Sequence, residues 1–221
     1  AHRESAFAAN TFLRDVDELV NGGRPLHLVH RLDRDTSGVL VLARHPEAVA
    51  ALQQRFTDGT AAKEYAAVVR GRVVADTLTI DAPIGPAATS RIAARRAVVE
   101  ATARRAKPAC TEITVVERFA AHTLLAVHPR TGRTHQIRVH LEHIGHPIAG
   151  DPLYGRNDDE YAAHVRRLEA NETPRQRTLL HAASLEVRQP RTNAPLRFVA
   201  PWPPDFAAFV ARLRAGELAE E

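Results

Sequence analysis

The sequence predicts an α+β fold with a mixed, mostly antiparallel sheet, flanking helices and a central cleft. Segments with strand-like alternation and segments with helical spacing follow one another irregularly, and several neighbouring strands are close enough in the chain to form hairpins. Such an order of elements is typical of an α+β domain. With 221 residues the chain can bury a substantial core, and we expect a single domain over residues 1–221.

The individual elements follow from apolar periodicity and from the positions of Gly and Pro. Helical spacing predicts helices at residues 6–20, 45–59, 134–145 and 205–213, and an exposed helical insertion at residues 157–177. Strand-like runs occur at residues 39–43, 63–71, 77–83, 111–117, 123–127 and 184–187. We expect Thr134 and Asp205 to be helix N-caps and residues 39–43 to form a buried strand.

The composition, 44% hydrophobic and 25% charged, indicates a soluble globular protein. The longest apolar runs are too short to span a bilayer, and the N-terminus has no apolar signal core, so we expect no membrane association. A single cysteine, Cys110, excludes an internal disulfide framework and favours a cytoplasmic location.

Positive charge is concentrated in one segment. The net charge is only +4, but residues 86–107 carry five Arg and one Lys against one Glu. We interpret this segment as a hairpin or a mobile, solvent-exposed loop that grips RNA phosphates through Arg95, Arg96, Arg104 and Arg105. The alternative is an ordinary solvated charged surface.

The first candidate site is the run His30-Arg31-Leu32-Asp33-Arg34-Asp35-Thr36-Ser37-Gly38, which we name the signature loop. Asp33 lies between Arg31 and Arg34, just before an apolar run that leads into the core. A plain solvated turn is the competing interpretation, with local salt bridges worth ~0–1 kcal/mol each.

The second candidate site is the run from His128 to Leu141, which contains Thr131-Gly132-Arg133-Thr134-His135-Gln136. Arg138 is adjacent to an apolar helical stripe, so its side chain can point inward. The run continues as residues 146–155, where Pro and Gly indicate a compact ordered loop. Two shorter runs complete the pattern, Lys63-Glu64-Tyr65 and Leu179-Leu180-His181-Ala182.

Histidines at positions 135, 140, 143 and 146 have spacings that can gather metal ligands on a helix. Gly145 breaks the helix before the last of them, and the chain has no His-Glu-x-x-His pattern. We therefore expect no metal site.

These four ordered blocks resemble the motifs of the RluA-type pseudouridine synthase family, and the resemblance covers about residues 24 to 205. It implies the pseudouridine synthase fold. The family usually has more chain before about residue 6, including a strand and a Lys-Pro element that do not occur in this sequence. We therefore expect either a fragment or a divergent N-terminus, and we expect no appended RNA-binding domain.

The resemblance also implies a role for each site residue. Asp33 corresponds to the catalytic aspartate, whereas Asp35 falls in a variable pair. Arg138 would keep Asp33 ionised, because the two segments, far apart in sequence, could meet across a cleft between the halves of the sheet. The remaining candidates bind substrate: Tyr65 against the target base, Leu180 in the pocket wall, and Arg31, Arg133 and His135 on flanking phosphates.

The implied function is isomerisation of specific uridines in ribosomal or transfer RNA to pseudouridine, by a monomer with RNA as its partner and no cofactor. Two alternatives remain open. One is a metal-dependent nuclease, because alternate strand residues share a face and Asp33 and Asp35, with His30, could bind a cation. The other is a non-catalytic RNA-binding module of the same fold.

Overall fold

The computed structural model describes residues 25–170, 172 and 176–218, so the helix expected at residues 6–20 lies outside the described residues. Within this part of the chain there are eleven strands and four helices. The strands are β1 (His27–Leu28), β2 (Ser37–Gly38), β3 (Leu42–Ala43), β4 (Ala62–Arg70), β5 (Thr77–Asp81), β6 (Ile84–Pro86), β7 (Arg96–Val98), β8 (Cys110–Arg118), β9 (His122–Pro129), β10 (Leu180–Arg188) and β11 (Pro195–Val199). The helices are α1 (Glu47–Thr57), α2 (Gln136–His143), α3 (Asp158–Glu169) and α4 (Pro204–Arg214).

The main sheet has the strand order β11-β10-β4-β9-β8-β5, and every neighbouring pair in that order is antiparallel. Strand β2 joins it beside β10 in a short parallel pair. This arrangement confirms the predicted mixed, mostly antiparallel sheet and the predicted β8–β9 hairpin. None of the helices in the described residues combines the length and apolar character needed to cross a bilayer.

The core lies along the central strands β4 and β9. Residues 66–69 of β4 are consecutively buried, as expected for a strand covered on both faces. Helix α4 packs Phe206, Val210 and Leu213 into the same core. The predicted apolar stripe of this helix is confirmed, but the helix begins at Pro204 with Pro203 as N-cap, so the N-cap prediction for Asp205 was wrong.

The expectation of one continuous strand at residues 39–43 was wrong. Only Leu42–Ala43 pairs in this run, as β3 against β1, and Val39 and Val41 are half-buried. The Val41 N–H donates to Nε2 of His30 and the Val39 N–H donates to the carbonyl of Ala182. Because scattered acceptors satisfy these backbone groups, the apolar run crosses the core as a loop rather than as a ladder strand.

The Thr-Ser-Gly end of the signature loop docks on β10. Gly38 has φ +115°, and a Cβ at this position would overlap the carbonyl of Ala182, so only glycine allows the approach. His181 donates through Nε2 to the Ala200 carbonyl, which leaves its Nδ1 to accept from the Ser37 hydroxyl at 2.9 Å. These contacts fix one end of the loop that carries Asp33.

The first part of the basic segment belongs to a hairpin of β6 and β7, residues 84–98, which we name the basic hairpin. The Arg95 side chain is only 15% exposed and forms ion pairs with Asp158 and Glu142, both at 3.1 Å. Arg91 binds Asp159 at the start of α3. The helical insertion predicted at residues 157–177 is confirmed over Asp158–Glu169. The mobile, RNA-gripping interpretation was wrong for Arg95, because its guanidinium is used within the fold.

Candidate active site

The candidate active site brings together two charges from distant parts of the chain. Arg138, on α2, donates from Nη1 to Oδ2 of Asp33 at 3.2 Å, across 105 positions of sequence. The Asp33 side chain is 23% exposed, whereas that of Arg138 is 10% exposed. The aspartate is therefore reachable from solvent, while its cationic partner sits in the protein wall, where screening is weak.

Helix α2 starts differently from the prediction. The N-cap is His135, in a left-handed conformation with φ 58°, and it makes no side-chain cap, so the N-cap prediction for Thr134 was wrong. A non-glycine residue in this conformation costs of order 1–3 kcal/mol and is held only by its surroundings. In this conformation the His135 ring lies edge-on to the ring of Tyr154.

The start of α2 is anchored by the side chain of Gln136 rather than by an N-cap side chain. Its buried side-chain oxygen accepts from the Thr131 hydroxyl at 2.6 Å and from the Arg133 N–H at 3.0 Å. Its amide nitrogen donates to the Cys110 carbonyl and to the Thr111 hydroxyl, each at 2.9 Å. These four hydrogen bonds attach the Thr-Gly-Arg turn and the start of α2 to strand β8.

Arg138 has a second carboxylate partner, Asp151, which is completely buried. Nε of Arg138 donates to Oδ2 of Asp151 at 2.6 Å, and Nη2 donates to Oδ1 at 2.9 Å. Burial alone would lower the pKa of Arg138. The hydrogen bonds to Asp151 and the charges of Asp151 and Asp33 outweigh that effect and hold the pKa above its ordinary value.

Tyr154 connects Arg138 with His135. The Arg138 guanidinium carbon lies 4.8 Å from the centre of the buried Tyr154 ring, a cation–π geometry. The Tyr154 hydroxyl oxygen accepts a hydrogen bond from the Arg96 N–H. The same hydroxyl lies 2.8 Å from Nδ1 of His135, so its O–H donates a hydrogen bond to that nitrogen. Burial lowers the pKa of His135, partly offset by the charge of Asp33, so the ring is neutral with its proton on Nε2.

Tyr65 and Leu180 lie on adjacent strands of the main sheet. Burial, together with the charge of Asp33, raises the pKa of Tyr65 to about 12, so its phenol stays protonated at neutral pH. Tyr65 is therefore close enough to Asp33 for the charge of Asp33 to raise its pKa. Leu180 belongs to the buried cluster against which Tyr65 packs.

Arg31 and Arg133 lie on the surface. Both are exposed, and Nε of Arg133 donates to the Pro108 carbonyl at 2.9 Å. Of the sequence-predicted site residues, the structure thus brings together Asp33, Arg138, His135 and Tyr65. It leaves the two arginines on the surface.

The metal-site alternative loses its geometric basis. Residues 33–36 form a turn closed by a Thr36 N–H to Asp33 carbonyl bond of 3.0 Å, so Asp33 and Asp35 do not share a strand face. Asp35 instead lies close to His164 of α3. Burial lowers the pKa of that histidine, and the charge of Asp35 partly offsets the effect. Nε2 of His30 accepts from Val41, and burial, then the charge of Lys63, lowers the His30 pKa to about 4. Across the described ranges, no group of three or more His, Cys, Asp or Glu side chains could hold a metal ion.

Sequence reasoning missed Asp151 and Tyr154, although it identified their loop as ordered. A signal was available in the composition of the loop. Asp151 is an acidic residue set among apolar neighbours, from Ile148 and Ala149 to Leu153. A carboxylate in such surroundings needs a buried cationic partner, and Arg138 was the inward-pointing candidate.

Comparison with known proteins places these features in context. A family model described as RNA pseudouridylate synthase matches residues 2–143. Ribosomal large subunit pseudouridine synthase D of Nitrosomonas europaea is 44% identical over 189 residues, which cover 85% of this chain and 51% of that protein. Ribosomal large subunit pseudouridine synthase C of Escherichia coli is 38% identical over 191 residues, covering 86% and 57%. The chain thus spans little more than half the length of these two relatives.

A solved structure, Human RNA Pseudouridylate Synthase Domain Containing 4, superposes with a TM-score of 0.74 at 26% sequence identity. The match covers 93% of this chain and 83% of that one. The likeness extends over the main sheet and its helices, in agreement with the fold expected from the sequence blocks.

Proposed function

The chain belongs to the RNA pseudouridylate synthase family, and from that premise we propose that it isomerises uridine to pseudouridine in RNA at the cleft where Asp33 meets Arg138. The observation that carries the proposal is this ion pair, in which a solvent-accessible carboxylate faces a fixed, buried guanidinium. Tyr65 beside it supplies an aromatic surface for an unstacked base.

The reaction determines what the site must supply. The N1–C1′ bond of uridine breaks, the uracil turns, C5 bonds to C1′, the proton on C5 is lost, and N1 gains a proton. Atoms and electrons balance within the nucleoside, so the chemistry requires no oxidant, reductant or added group. Asp33 is the carboxylate in position to trigger the cleavage, and Arg138 is a fixed positive charge beside it.

The raised pKa of Tyr65 restricts what its phenol can do in the reaction. A phenol with a pKa of about 12 is a poor source of phenolate near neutral pH. We therefore assign to Tyr65 the packing of the flipped uracil, and to the Asp33 carboxylate the uptake of the C5 proton once the new bond has formed. Extruding the target uridine costs a few kcal/mol, which contacts to the flanking nucleotides must offset.

The relatives named above are synthases of the ribosomal large subunit, and we extend that substrate class to this chain ahead of transfer RNA. Exposed cations are available for the flanking phosphates at Arg31, Arg133, Arg104 and Arg105. We further propose that residues 1–221 act as one catalytic domain, as a monomer and in the cytoplasm.

The test is nucleoside analysis of unmodified large-subunit ribosomal RNA after incubation with the protein, in parallel samples with and without EDTA. We expect pseudouridine, which has the mass of uridine and a different retention time, on strands of unchanged length. Shortened strands that disappear when EDTA is present would favour the nuclease. Tight binding without any new pseudouridine, on ribosomal or transfer RNA, would favour the non-catalytic module. Mapping pseudouridine in cells that lack the protein then identifies the uridine.

A further inference from the structure

Asp151 lies in a turn just after α2. Gly150 precedes it with φ +76°, and a Cβ on Gly150 would overlap the Arg177 carbonyl, so the chain passes closely against its neighbour here. The Asp151 side chain is completely buried in the resulting turn, residues 151–154, which we name the buried turn. A buried carboxylate is costly unless every oxygen is hydrogen-bonded, so the partners of Asp151 indicate its role.

Those partners number four. Oδ1 accepts from the Leu153 N–H at 2.9 Å, from the Tyr154 N–H at 3.0 Å and from Nη2 of Arg138 at 2.9 Å. Oδ2 accepts from Nε of Arg138 at 2.6 Å. Two bonds shape the turn, and two form a bidentate pair with the guanidinium, the strongest geometry available to an Arg–carboxylate contact.

This pair decides how Arg138 faces Asp33. Nε and Nη2 are both committed to Asp151, and the Tyr154 ring lies against the face of the guanidinium. Nη1 is the remaining nitrogen, and it makes the single 3.2 Å bond to Asp33. Arg138 is therefore oriented by contacts that do not involve Asp33, and one oxygen of Asp33 is outside the pair.

We propose that Asp151 is a positioning residue for the isomerisation: by occupying the bidentate edge of Arg138, it limits Asp33 to a one-point contact and leaves its carboxylate able to move to the substrate. The inference rests on the proposed function. Without the charge of Asp151, the two-nitrogen edge of Arg138 turns to Asp33, the stronger pair forms there, and both oxygens of the reactive carboxylate become occupied.

The test is Asp151→Asn, because the amide keeps the size of the side chain and an oxygen for the turn while removing the charge. We expect the single-turnover rate at saturating enzyme to fall about 100-fold, the effect of a misplaced catalytic group, with the RNA dissociation constant within about threefold. The matched control is Glu117→Gln, which breaks another carboxylate pair made through both oxygens, with Arg214 of α4 at 3.2 and 2.7 Å. It should leave the rate unchanged.

A double-mutant cycle separates positioning from support of the turn. Lysine has no fork to orient, so Asp151→Asn should add little to the rate loss already caused by Arg138→Lys. Independent, multiplicative losses would mean that Asp151 only shapes the turn, and would overturn the proposal. So would a rate within about threefold of wild type for folded Asp151→Asn protein.

A second measurement does not need the Asp151 variant to fold. In Asp33→Asn protein, the ¹⁵N-detected Nε–H signal of Arg138, assigned by its loss in Arg138→Lys, should keep its position and slow exchange with solvent. Loss or averaging of that signal would show that Asp33, not Asp151, orients the guanidinium. If wild-type protein forms no pseudouridine, the proposed function fails, and this signal alone judges Asp151.

Discussion

Two carboxylates face the same guanidinium from opposite sides, and the protein holds them in opposite ways. Asp33 sits in the signature loop, is 23% exposed and meets Arg138 through one bond of 3.2 Å. Asp151 sits in the buried turn, is 0% exposed and accepts four bonds. The difference teaches that two carboxylates paired with the same arginine can have different roles. Only Asp33, which is held by one bond, can exchange Arg138 for another partner.

The surroundings of the two carboxylates differ in the same direction. The signature loop contributes one two-residue strand to the sheet and is tied down by individual contacts to β10. In helix α2 and the buried turn, Gln136, Arg138 and Asp151 are buried, and each makes at least three side-chain hydrogen bonds. Chemistry on a loop supported by a rigid wall is a common arrangement in enzymes.

The largest expected effect comes from Asp33→Asn. We expect pseudouridine formation to fall by at least about 10³-fold, because the carboxylate that starts the reaction is lost, while RNA binding and thermal stability change little. The matched control is Asp35→Asn in the same turn, expected to keep most of the activity. Comparable losses in both variants would place two aspartates in one site and remove the contrast between Asp33 and Asp151.

The enclosed side is tested by Gln136→Leu. This change removes four hydrogen bonds and leaves the Thr131 hydroxyl proton and the Arg133 N–H without the acceptor they share, so we expect the free energy of unfolding to fall by about 2–4 kcal/mol. Urea denaturation measures it, with the exposed Gln53→Leu in α1 as a control that should stay within about 0.5 kcal/mol. Equal stability of the two variants would mean that the start of α2 is not held by this network.

A smaller effect concerns pH and the base of the signature loop, where His30 stacks on Phe56 at 4.4 Å. Its folded-state pKa is about 4, below the usual 6.5, so protons bind the unfolded chain more tightly between these values. This contribution to stability is therefore complete above pH 6.5 and is lost as the pH falls toward 4, by about 3 kcal/mol in total. His30→Gln cannot titrate and should show a flatter decline in urea denaturation from pH 7 to 5; an identical slope would contradict this.

The smallest effect separates two groups of arginines within the basic segment. Arg104 and Arg105 are exposed, and replacing both with Gln should reduce the slope of log K for RNA against log salt by about 0.7–0.9 for each phosphate that is no longer neutralised. Arg95→Gln should instead lower the melting temperature with an unchanged slope, because its charge is paired within the fold. An unchanged slope for Arg104 and Arg105 would assign them to surface charge.

Sequence reasoning succeeded where a pattern is local or where a family motif specifies it. The alternating runs predicted β8 and β9 as a hairpin, and two distant blocks indicated that Asp33 and Arg138 meet. It failed where tertiary contacts decide. The apolar run at 39–43 has strand composition, yet its backbone groups bond to His30 and to β10.

Charged residues showed the same limit. Arg95 lies in a segment whose composition is typical of an RNA-binding surface. In the folded chain, however, its side chain is buried against two carboxylates. Asp151 and Gln136 belong to buried networks whose members come from several elements. Such networks have no periodicity along the chain, so their bonds become visible only when the elements are packed.

The most direct test of the contrast between the two carboxylates is tritium release from RNA labelled at C5 of uridine, measured in single turnover with wild-type, Asp151→Asn and Asp33→Asn protein at saturating enzyme. We expect rapid release by wild type, slow but complete release by Asp151→Asn, and none by Asp33→Asn. Release by Asp33→Asn as fast as or faster than by Asp151→Asn, with both proteins folded, would contradict the assignment of the reaction to Asp33.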